Sequence, residues 1–518
     1  MKQLSGLDVS FLNLEDGRAF GHVSSLGLFE PPEDPNFSAY ESYRSLMLSK
    51  IGDLDPYRRR LVEVPFGLDR PYWIDDPAFD IDFHIRHIAV PPPGGDEQLA
   101  DLVGRLIGRP MDRSRPLWES YVIEGLESGE FAVLAKMHHA TIDGAAGAEM
   151  MMVLFDREPD APLEAGKSWQ PGELPTDSAL MSKTAIELTR RPIKAVRLQV
   201  RLLRDLGRAT QNPAFDSVAN QIRRGIPGPA GAVVGRLLGA TDEQPEDLDE
   251  PSAAPSILAP RTPFNATISP HRRFAHRSTP LQQIKDIKNA LGATLNDVVM
   301  AICAGGLRRY LESVDALPEE DLRAMVPVSI RTGDETEKWT NRVSTIFSAL
   351  PTSESDPLKR VAAVHEAMAL AKEQFNLIPA DTLVELSDLA PPALAIRASR
   401  VAARARLADR TNPAANLVIS NVPGPREPLY MHGGAKLKRY YPVSMVVDGQ
   451  GLNITVQSYV DGLDFGLVSC RELVPDLWKV MDYLFEEIDI LAEAAGVQTS
   501  TNKANKKKAD KAKAGDKK

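Results

Sequence analysis

The sequence is poor in cysteine, and this absence excludes several kinds of site. Among 518 residues only Cys303 and Cys470 are cysteines, so no disulfide framework is available and a reducing compartment is expected. No C-x-x-C pair occurs, which removes the commonest cysteine-based zinc sites. Cys303 lies in the apolar segment NDVVMAICAGGL, where a buried thiol without a chemical role is expected.

Long apolar runs are also missing. No stretch approaches the roughly 18 uninterrupted apolar residues of a membrane-spanning helix. The first residues, MKQLSGLDVSFLNLEDG, contain an early aspartate and lack the apolar core of a signal peptide. We therefore expect a cytoplasmic protein that does not cross a membrane.

Negative charge exceeds positive charge outside the carboxyl terminus. The formal net charge is −10, although residues 501–518 hold eight lysines against two aspartates. The remaining chain is a poor electrostatic match for nucleic acid, which excludes that class of partner. With 43% hydrophobic and 25% charged residues the chain is globular, and its length predicts at least two domains.

The order of local patterns predicts a mixed α/β chain with two structured segments. Residues 1–156 and 261–496 both mix strand and helix patterns. Between them, residues 157–260 are rich in Pro, Gly, Asp and Glu and form a long connector, while residues 497–518 form a disordered lysine-rich tail.

Three local patterns in the first segment give definite predictions. FDIDFHIRHIAV alternates between apolar and polar residues, which predicts a strand with His84 on its exposed face. The pattern gives no reason to assign His87 to a functional site either. LADLVGRLIGRPM predicts a helix. WESYVIEGLESGEFAVLAKM predicts a hairpin that turns at Ser128 and Gly129.

The connector contains a basic amphipathic helix that begins at Pro192. At 100° per residue its cations fall on one stripe, beside an apolar face; they are Lys194, Arg197, Arg201, Arg204 and Arg208. Such a helix suits an anionic membrane surface. Two other interpretations stay open: packing of the apolar face on the protein body with solvated arginines, or contact of the stripe with ligand phosphates.

The segment KMHHATIDGAAG, residues 136–147, is the main candidate for chemistry. A strand before it places Phe131, Val133, Ala135, Met137 and His139 on one face. His138 then points to the opposite face, which argues against a zinc ion shared by the two imidazoles. Asp143 and Gly144 end the loop, and a buried helix is predicted over residues 145–155.

General base catalysis by His139 remains after other chemistries are tested. The chain has no G-x-S-x-G elbow, and AGKSW lacks the first glycine and the strand context of a phosphate loop. A neutral imidazole can take a proton from an alcohol at physiological pH. The residues alone leave catalysis and a polar strand-to-helix turn equally open.

A resemblance to a known family carries the interpretation further. The chain resembles the bacterial wax ester synthase/acyl-CoA:diacylglycerol acyltransferase family over residues 3–495. Besides HHATIDG, the matching segments are LSGLDVSFLNLED, GHVSSLGLFEP, YRRRLV, WIDDPAFDIDFHIRHIAVPPPG, RPMDRSRPLWESYVIEGL, ATLNDVVMAICAGGLRRYL, LVISNVPGPREPLYMHG and LNITVQSYVDGLDFGLVSC.

The resemblance implies two chloramphenicol-acetyltransferase-like lobes of mixed α/β structure around a central tunnel. It implies esterification of diacylglycerol, or of a long-chain alcohol, by a long-chain fatty acyl-CoA, which is a substrate, with no cofactor or metal. His139 becomes the proton acceptor, His138 a supporting residue, and Asp143 a structural ion-pair partner. Peripheral contact with a membrane or lipid droplet is also implied.

The resemblance gives smaller roles to residues outside the histidine motif. Asn296 is expected to donate a hydrogen bond into the site, and Asp297 is expected to cap the helix that follows. Residues 116–118, Pro-Leu-Trp, pack at the strand entrance, and Asn421 fixes a turn between the lobes.

Two alternatives come from other classes of protein. A condensation-type enzyme would take its acyl group from a carrier-bound thioester and shares the histidine motif. A lipid-binding or droplet-coating protein would keep the fold without turnover.

Overall fold

The structure is a computed structural model that describes residues 1–142, 144–164, 166–187, 189, 258–329, 343–376 and 403–497. The elements of the amino-terminal half are β1 (Lys2–Gln3), α1 (Gly6–Asn13), β2 (His22–Glu30), α2 (Ala39–Lys50), α3 (Asp55–Arg58), β3 (Arg59–Val62), β4 (Tyr72–Asp75), α4 (Ile81–His84), β5 (Ile85–Ala89), α5 (Asp96–Ile107), β6 (Trp118–Glu124), β7 (Phe131–His138) and α6 (Gly144–Leu154).

The carboxyl-terminal half repeats the mixture of strands and helices. Its elements are β8 (Arg272–Pro280), α7 (Leu281–Leu291), α8 (Leu295–Glu312), β9 (Leu322–Ser329), β10 (Val343–Leu350), α9 (Pro357–Asn376), β11 (Leu417–Val422), β12 (Lys436–Val443), β13 (Leu452–Tyr459), β14 (Gly462–Cys470) and α10 (Leu477–Ala494).

Each half is built on one large mixed sheet, so the prediction of mixed α/β structure is confirmed. The sheet of the N-terminal lobe has the order β12-β2-β7-β6-β5, and that of the C-terminal lobe has the order β10-β9-β11-β13-β14-β8. Strand β12 comes from the second half of the chain but pairs with β2 of the first half. The two lobes are therefore joined by backbone hydrogen bonds as well as by packing.

The two faces of the N-terminal sheet are covered by different helices. Residues of α2 and α6 pack on the face that carries Val133 and Met137. Residues of α5 pack on the other face, against Ala132 and Leu134. Strand alternation alone produces this division, because successive side chains of β7 point to opposite faces.

Helix α8 forms the centre of the C-terminal lobe. Thr294 begins the helix, because its side chain accepts a hydrogen bond from the backbone N–H of Asp297. Thirteen residues of α8 are buried. Cys303 is one of them and belongs to the core of this lobe, as the sequence predicted.

Two predicted elements around the histidine motif are confirmed. β6 and β7 form an antiparallel hairpin, and its turn contains Gly129 at a φ of +77°. A positive φ is a conformation that glycine adopts without steric cost. The predicted helices correspond to α5 and α6.

The prediction of one strand over residues 79–90 is wrong in its first half. Residues Ile81–His84 form the short helix α4, and the strand β5 begins only at Ile85. The Asp80 side chain accepts a hydrogen bond from the N–H of Asp82, which starts the helical turn. His84 is predicted to be exposed but is 1% exposed in the structure. Its Nδ1 forms a hydrogen bond with the backbone carbonyl of Trp118, and its ring stacks on the Trp118 ring.

The connector is described only in part. Residues 177–187 are helical, whereas the basic helix predicted to begin at Pro192 lies outside the described residues, so it stays a prediction. Within the described ranges no single helix is long and apolar enough to span a membrane. Together, α7 and α8 are long and apolar enough to span a membrane, but their axes meet at a bend of 99°. Helix α8 is also the core helix of its lobe, which accounts for its apolar composition.

Candidate active site

A cavity of about 430 Å³ lies between the two lobes, and we call it the interlobe cavity. On the N-terminal side it is lined by Val133, Ala135 and Met137 of β7 and then by His139. These are the residues that the alternation of β7 placed on one face. Helix α6 contributes further apolar side chains to this side, among them Met150 and Met151.

The C-terminal side of the interlobe cavity is more polar. Strands β11 and β13 run parallel, with Ser420 paired to Thr455 and Val422 paired to Gln457. Asn453, Thr455 and Gln457 all line the cavity. Alternation again explains the set, because the residues between them on β13 belong to the core of the lobe.

His139 stands at the point where β7 ends. Its backbone N–H donates to the carbonyl oxygen of Gly21 at 2.7 Å. Its ring is half-buried and stacks on Phe11, with 4.0 Å between centroids and 13° between planes. Among the described residues that line the interlobe cavity, His139 is the only His, Asp, Glu, Lys or Arg. It is therefore the one candidate there for proton transfer at neutral pH.

His138 points away from the interlobe cavity and is 1% exposed. Its Nδ1 accepts a hydrogen bond from the N–H of Ala140 at 3.0 Å. This assigns the ring proton of a neutral imidazole to Nε2, which lies 3.4 Å from Oε1 of Glu15. The two adjacent imidazoles thus face opposite sides, as the strand pattern predicted.

Glu15 connects His138 to a cation. Its other oxygen, Oε2, accepts hydrogen bonds from Nε and Nη2 of Arg113 at 3.1 and 2.6 Å. Burial alone would raise the pKa of Glu15, but the hydrogen bond and charge of His138, together with hydrogen bonds from Gly21 and Arg113, lower it to about 2. Glu15 is therefore ionised at physiological pH and fixes the ring of His138.

Gly21 contacts both histidines of the motif, through its backbone to His139 and through its close approach to the ring of His138. Its N–H donates to Glu15 at 2.9 Å, while its carbonyl accepts from His139. A Cβ atom on this residue would lie 2.7 Å from Nε2 of His138. Only glycine allows the backbone to approach the ring this closely.

The Pro-Leu-Trp segment packs behind the histidine motif. The carbonyl of Leu117 accepts a hydrogen bond from the N–H of His138 at 2.9 Å. Trp118 is 1% exposed, and its indole N–H donates to the carbonyl of Tyr57 at 2.6 Å. These contacts agree with the predicted packing role.

The other predicted site residues are only partly brought together. Asp143 lies outside the described residues, so its structural role stays a prediction. Asn296 is on the first turn of α8 and is not among the cavity-lining residues, so its role also stays a prediction. Asp297 does contribute to the cap of α8, because its carboxylate accepts from the N–H of Thr294.

Sequence patterns missed three residues near the site. Asn421, predicted only as a turn residue, lines the interlobe cavity; Glu15 and Arg113 form the pair behind His138. One signal for Glu15 was available, since it follows the end of α1. A carboxylate near a helix carboxyl terminus is unfavourable unless it has a partner.

Neither cysteine nor metal chemistry is indicated in the described part of the chain. Burial raises the pKa of the Cys303 thiol to about 12, so the thiolate that reacts is disfavoured. No cluster of three or more His, Cys, Asp or Glu side chains that could hold a metal ion is found among the described residues.

These features define a class of two-lobed mixed α/β proteins with a histidine at the lobe interface. The first condensation domain of the calcium-dependent antibiotic synthetase shares this fold, with a TM-score of 0.50 and 17% identity over 95% of each chain. The model of the wax ester synthase/diacylglycerol acyltransferase catalytic domain matches residues 4–299, and that of the C-terminal domain matches residues 339–492.

Individual relatives agree with the family models. The O-acyltransferase WSD of Acinetobacter baylyi is 32% identical over 98% of this chain and all of the relative. A putative diacylglycerol O-acyltransferase of Mycobacterium tuberculosis is 35% identical over 95% of this chain and all of the relative. The wax ester synthase/diacylglycerol acyltransferase of Marinobacter aquaeolei has a TM-score of 0.63 and 30% identity, covering 96% of this chain and 100% of that one. The chain belongs to the wax ester synthase/diacylglycerol acyltransferase family.

Proposed function

We propose that the protein esterifies diacylglycerol with the acyl group of a long-chain fatty acyl-CoA, giving triacylglycerol and CoA. With a long-chain alcohol as acceptor the same chemistry gives a wax ester. One observation carries the proposal: a single imidazole, His139, lines the described part of an otherwise uncharged cavity between the lobes. Because the donor is already an activated thioester, the reaction needs no cofactor.

In the proposed mechanism His139 acts as general base. Its imidazole takes the proton of the acceptor hydroxyl while that oxygen attacks the thioester carbonyl carbon. The tetrahedral intermediate then expels the CoA thiolate, and the imidazolium returns the proton to the sulfur. General base action contributes about 10²–10⁴ in rate, so positioning of the two substrates must contribute the rest.

The surroundings of His139 suit this role. The backbone hydrogen bond to Gly21 and the stack on Phe11 hold the ring toward the interlobe cavity. Both cysteines are fully buried and neither lines the cavity. This favours direct transfer between two bound substrates over a covalent cysteine intermediate.

One assay separates the proposal from its two alternatives. Purified protein is incubated with labelled palmitoyl-CoA and diacylglycerol, with palmitoyl-CoA and hexadecanol, or with a carrier-bound palmitoyl thioester and the same acceptors. Triacylglycerol from the first mixture supports the proposal. Product only from the carrier-bound donor would favour the condensation-type enzyme, and binding without any product would favour a lipid-coating protein.

We also propose that the protein works at a lipid surface, where its acceptor resides. The support comes from the sequence of the connector, whose basic stripe runs from Lys194 to Arg208. Co-sedimentation with anionic vesicles should then fall as salt increases. A triple reversal of Arg197, Arg201 and Arg204 to glutamate should abolish it and leave activity on dispersed substrate. A tail-deletion variant tests residues 501–518 as the source, and unchanged binding by the triple variant would contradict the proposal.

A further inference from the structure

The end of the interlobe cavity that is remote from His139 is lined by aromatic rings. Phe29 of β2 and Phe155, which follows α6, both line the cavity. Their ring centroids are 5.4 Å apart, and Phe29 also stacks on Phe131 at 5.3 Å. We call Phe29 and Phe155 the phenylalanine wall. Both rings are at least nine-tenths buried, with 1% and 7% exposed.

The two elements that leave the histidine motif both end at this wall. Along β7, His139 is eight residues from Phe131, and Phe131 is paired with Phe29. Eight residues of strand span about 27 Å. Helix α6 leads from Gly144 to Leu154, directly before Phe155, and its eleven residues span about 16 Å. The base and the wall are thus opposite ends of one long compartment.

The side chains that β7 and α6 contribute between the two ends are apolar and adaptable. Val133, Ala135 and Met137 line the sheet side, and α6 adds methionines 150 and 151 on the helix side. Methionine side chains are flexible and polarisable, so they can follow the contour of a hydrocarbon chain. One lipid chain spans about 15 Å of a bilayer leaflet, which fits within this compartment.

A glycine widens the compartment close to the wall. Gly27 lies on β2 opposite Val133 and lines the cavity. A Cβ atom there would lie 2.9 Å from the ring of Phe29 and 3.1 Å from the side chain of Leu437. A methyl group on Gly27 would therefore take space from the cavity and displace the Phe29 ring. Glycine in the middle of a strand is a common sign of such a close approach.

We propose that the acyl chain of the donor lies along β7 and α6, with its methyl end against the phenylalanine wall. Gly27 and the wall then set the longest acyl chain that fits while the thioester carbon is beside His139. The inference rests on the proposed function. It assigns the compartment to the donor because diacylglycerol brings two chains, whereas acyl-CoA brings one.

The test changes the compartment in both directions. Phe155→Leu removes ring volume at the wall, and Gly27→Ala adds a methyl group in front of it. With a fixed diacylglycerol acceptor, kcat/KM is measured for lauroyl-, palmitoyl- and behenoyl-CoA. Phe155→Leu should raise the behenoyl-to-palmitoyl ratio about tenfold, and Gly27→Ala should raise the lauroyl-to-palmitoyl ratio about tenfold. Phe29→Leu replaces Phe155→Leu if the latter does not fold.

Phe274→Leu is the matched control, because Phe274 is 3% exposed but belongs to the core on the other face of the sheet. It should lower stability and leave both ratios unchanged. Unchanged ratios in folded wall and Gly27 variants would overturn the inference. The inference would also be overturned if the variants changed the preference for the chain length of an alcohol acceptor but not for that of the acyl-CoA donor. The affinities of the same acyl-CoA series, measured by equilibrium binding, give the chain-length preference without turnover. If the protein binds the series with the expected preference but makes no product, the proposed transfer fails while this inference stands.

Discussion

The wall of the interlobe cavity on the N-terminal lobe, formed by β2, β7 and α6, is largely apolar and carries His139. The wall on the C-terminal lobe, formed by β11 and β13, presents hydroxyl and amide groups. Among its described residues there is no His, Asp, Glu, Lys or Arg. Asn453 and Thr455 on this wall bond each other, with Thr455 Oγ1 donating to Asn453 Oδ1 at 2.8 Å.

This difference between the two walls assigns proton transfer to one wall and substrate orientation to the other. Proton transfer requires an acid–base side chain, and among the described residues that line the cavity only His139, on the N-terminal wall, is an imidazole. The C-terminal wall can orient polar parts of a substrate without changing its own charge. If this comparison is correct, a change of His139 on the N-terminal wall alters the chemical step, whereas changes in the C-terminal lobe alter stability or binding.

Removal of the base should have the largest effect. His139→Ala should lower kcat by at least about 100-fold, because general base catalysis contributes about 10²–10⁴ in rate. The variant should keep its melting temperature, since the ring is only half-buried. His138→Ala is the matched control and should be less damaging to kcat, because that ring faces Glu15. Equal losses in the two variants would break the comparison of the two faces.

Asp143 tests how the motif loop is supported. If Asp143 braces the loop through an ion pair, Asp143→Ala should lower both the melting temperature and the activity. Asp143→Asn keeps the shape and should retain substantial activity. Complete loss in Asp143→Asn with an unchanged melting temperature would instead indicate electrostatic support of the imidazole. Thermal melts and initial rates on the same preparations distinguish the two.

Glu15→Gln should destabilise the protein by about 1–3 kcal/mol at pH 7, because it removes charged hydrogen bonds to Arg113. The pKa of Glu15 is about 2, below its ordinary 4.5. Its ionised form therefore stabilises the fold above pH 4.5, and this contribution is lost as pH falls toward 2. Denaturant titrations at pH 7 and pH 3 should show a smaller difference from the parent at pH 3. The exposed Glu30→Gln is the control, with less than about 0.5 kcal/mol expected.

In the C-terminal lobe, Asp464 should affect stability rather than chemistry. It is fully buried on β14 and accepts a hydrogen bond from the N–H of Tyr440 at 2.9 Å. Burial raises its pKa to about 6 from 3.8, so its ionisation costs stability as pH rises from about 4 to 6. Asp464→Asn should raise the melting temperature by a few degrees at pH 8 and leave it unchanged at pH 4. An equal shift at both pH values would contradict this assignment.

The local part of this architecture was predictable from the sequence, because strand alternation and turn residues act over a few positions. The opposite directions of His138 and His139, the hairpin of β6 and β7, and α6 all follow from such patterns. His84 was mispredicted because its burial depends on Trp118, which is 34 residues away. Contacts of this range leave no periodic signal.

The same reason explains what else the sequence did not predict. Strand β12 joins the N-terminal sheet through pairing with β2, which is about 400 residues away in the chain. The pair of Glu15 with Arg113 spans 98 residues, and the phenylalanine wall unites residues from β2 and the end of α6. The matching sequence segments carry the resemblance to the family, but only the folded chain brings these groups together.

The pH dependence of kcat/KM tests the assignment of His139 most directly. With palmitoyl-CoA and diacylglycerol, the parent should show a kcat/KM that rises with pH as a single general base loses its proton. The residual activity of His139→Ala should lack this rise, whereas His138→Ala should keep it. A flat profile in the parent, or the same rise in His139→Ala, would contradict the account and assign the proton transfer to another group.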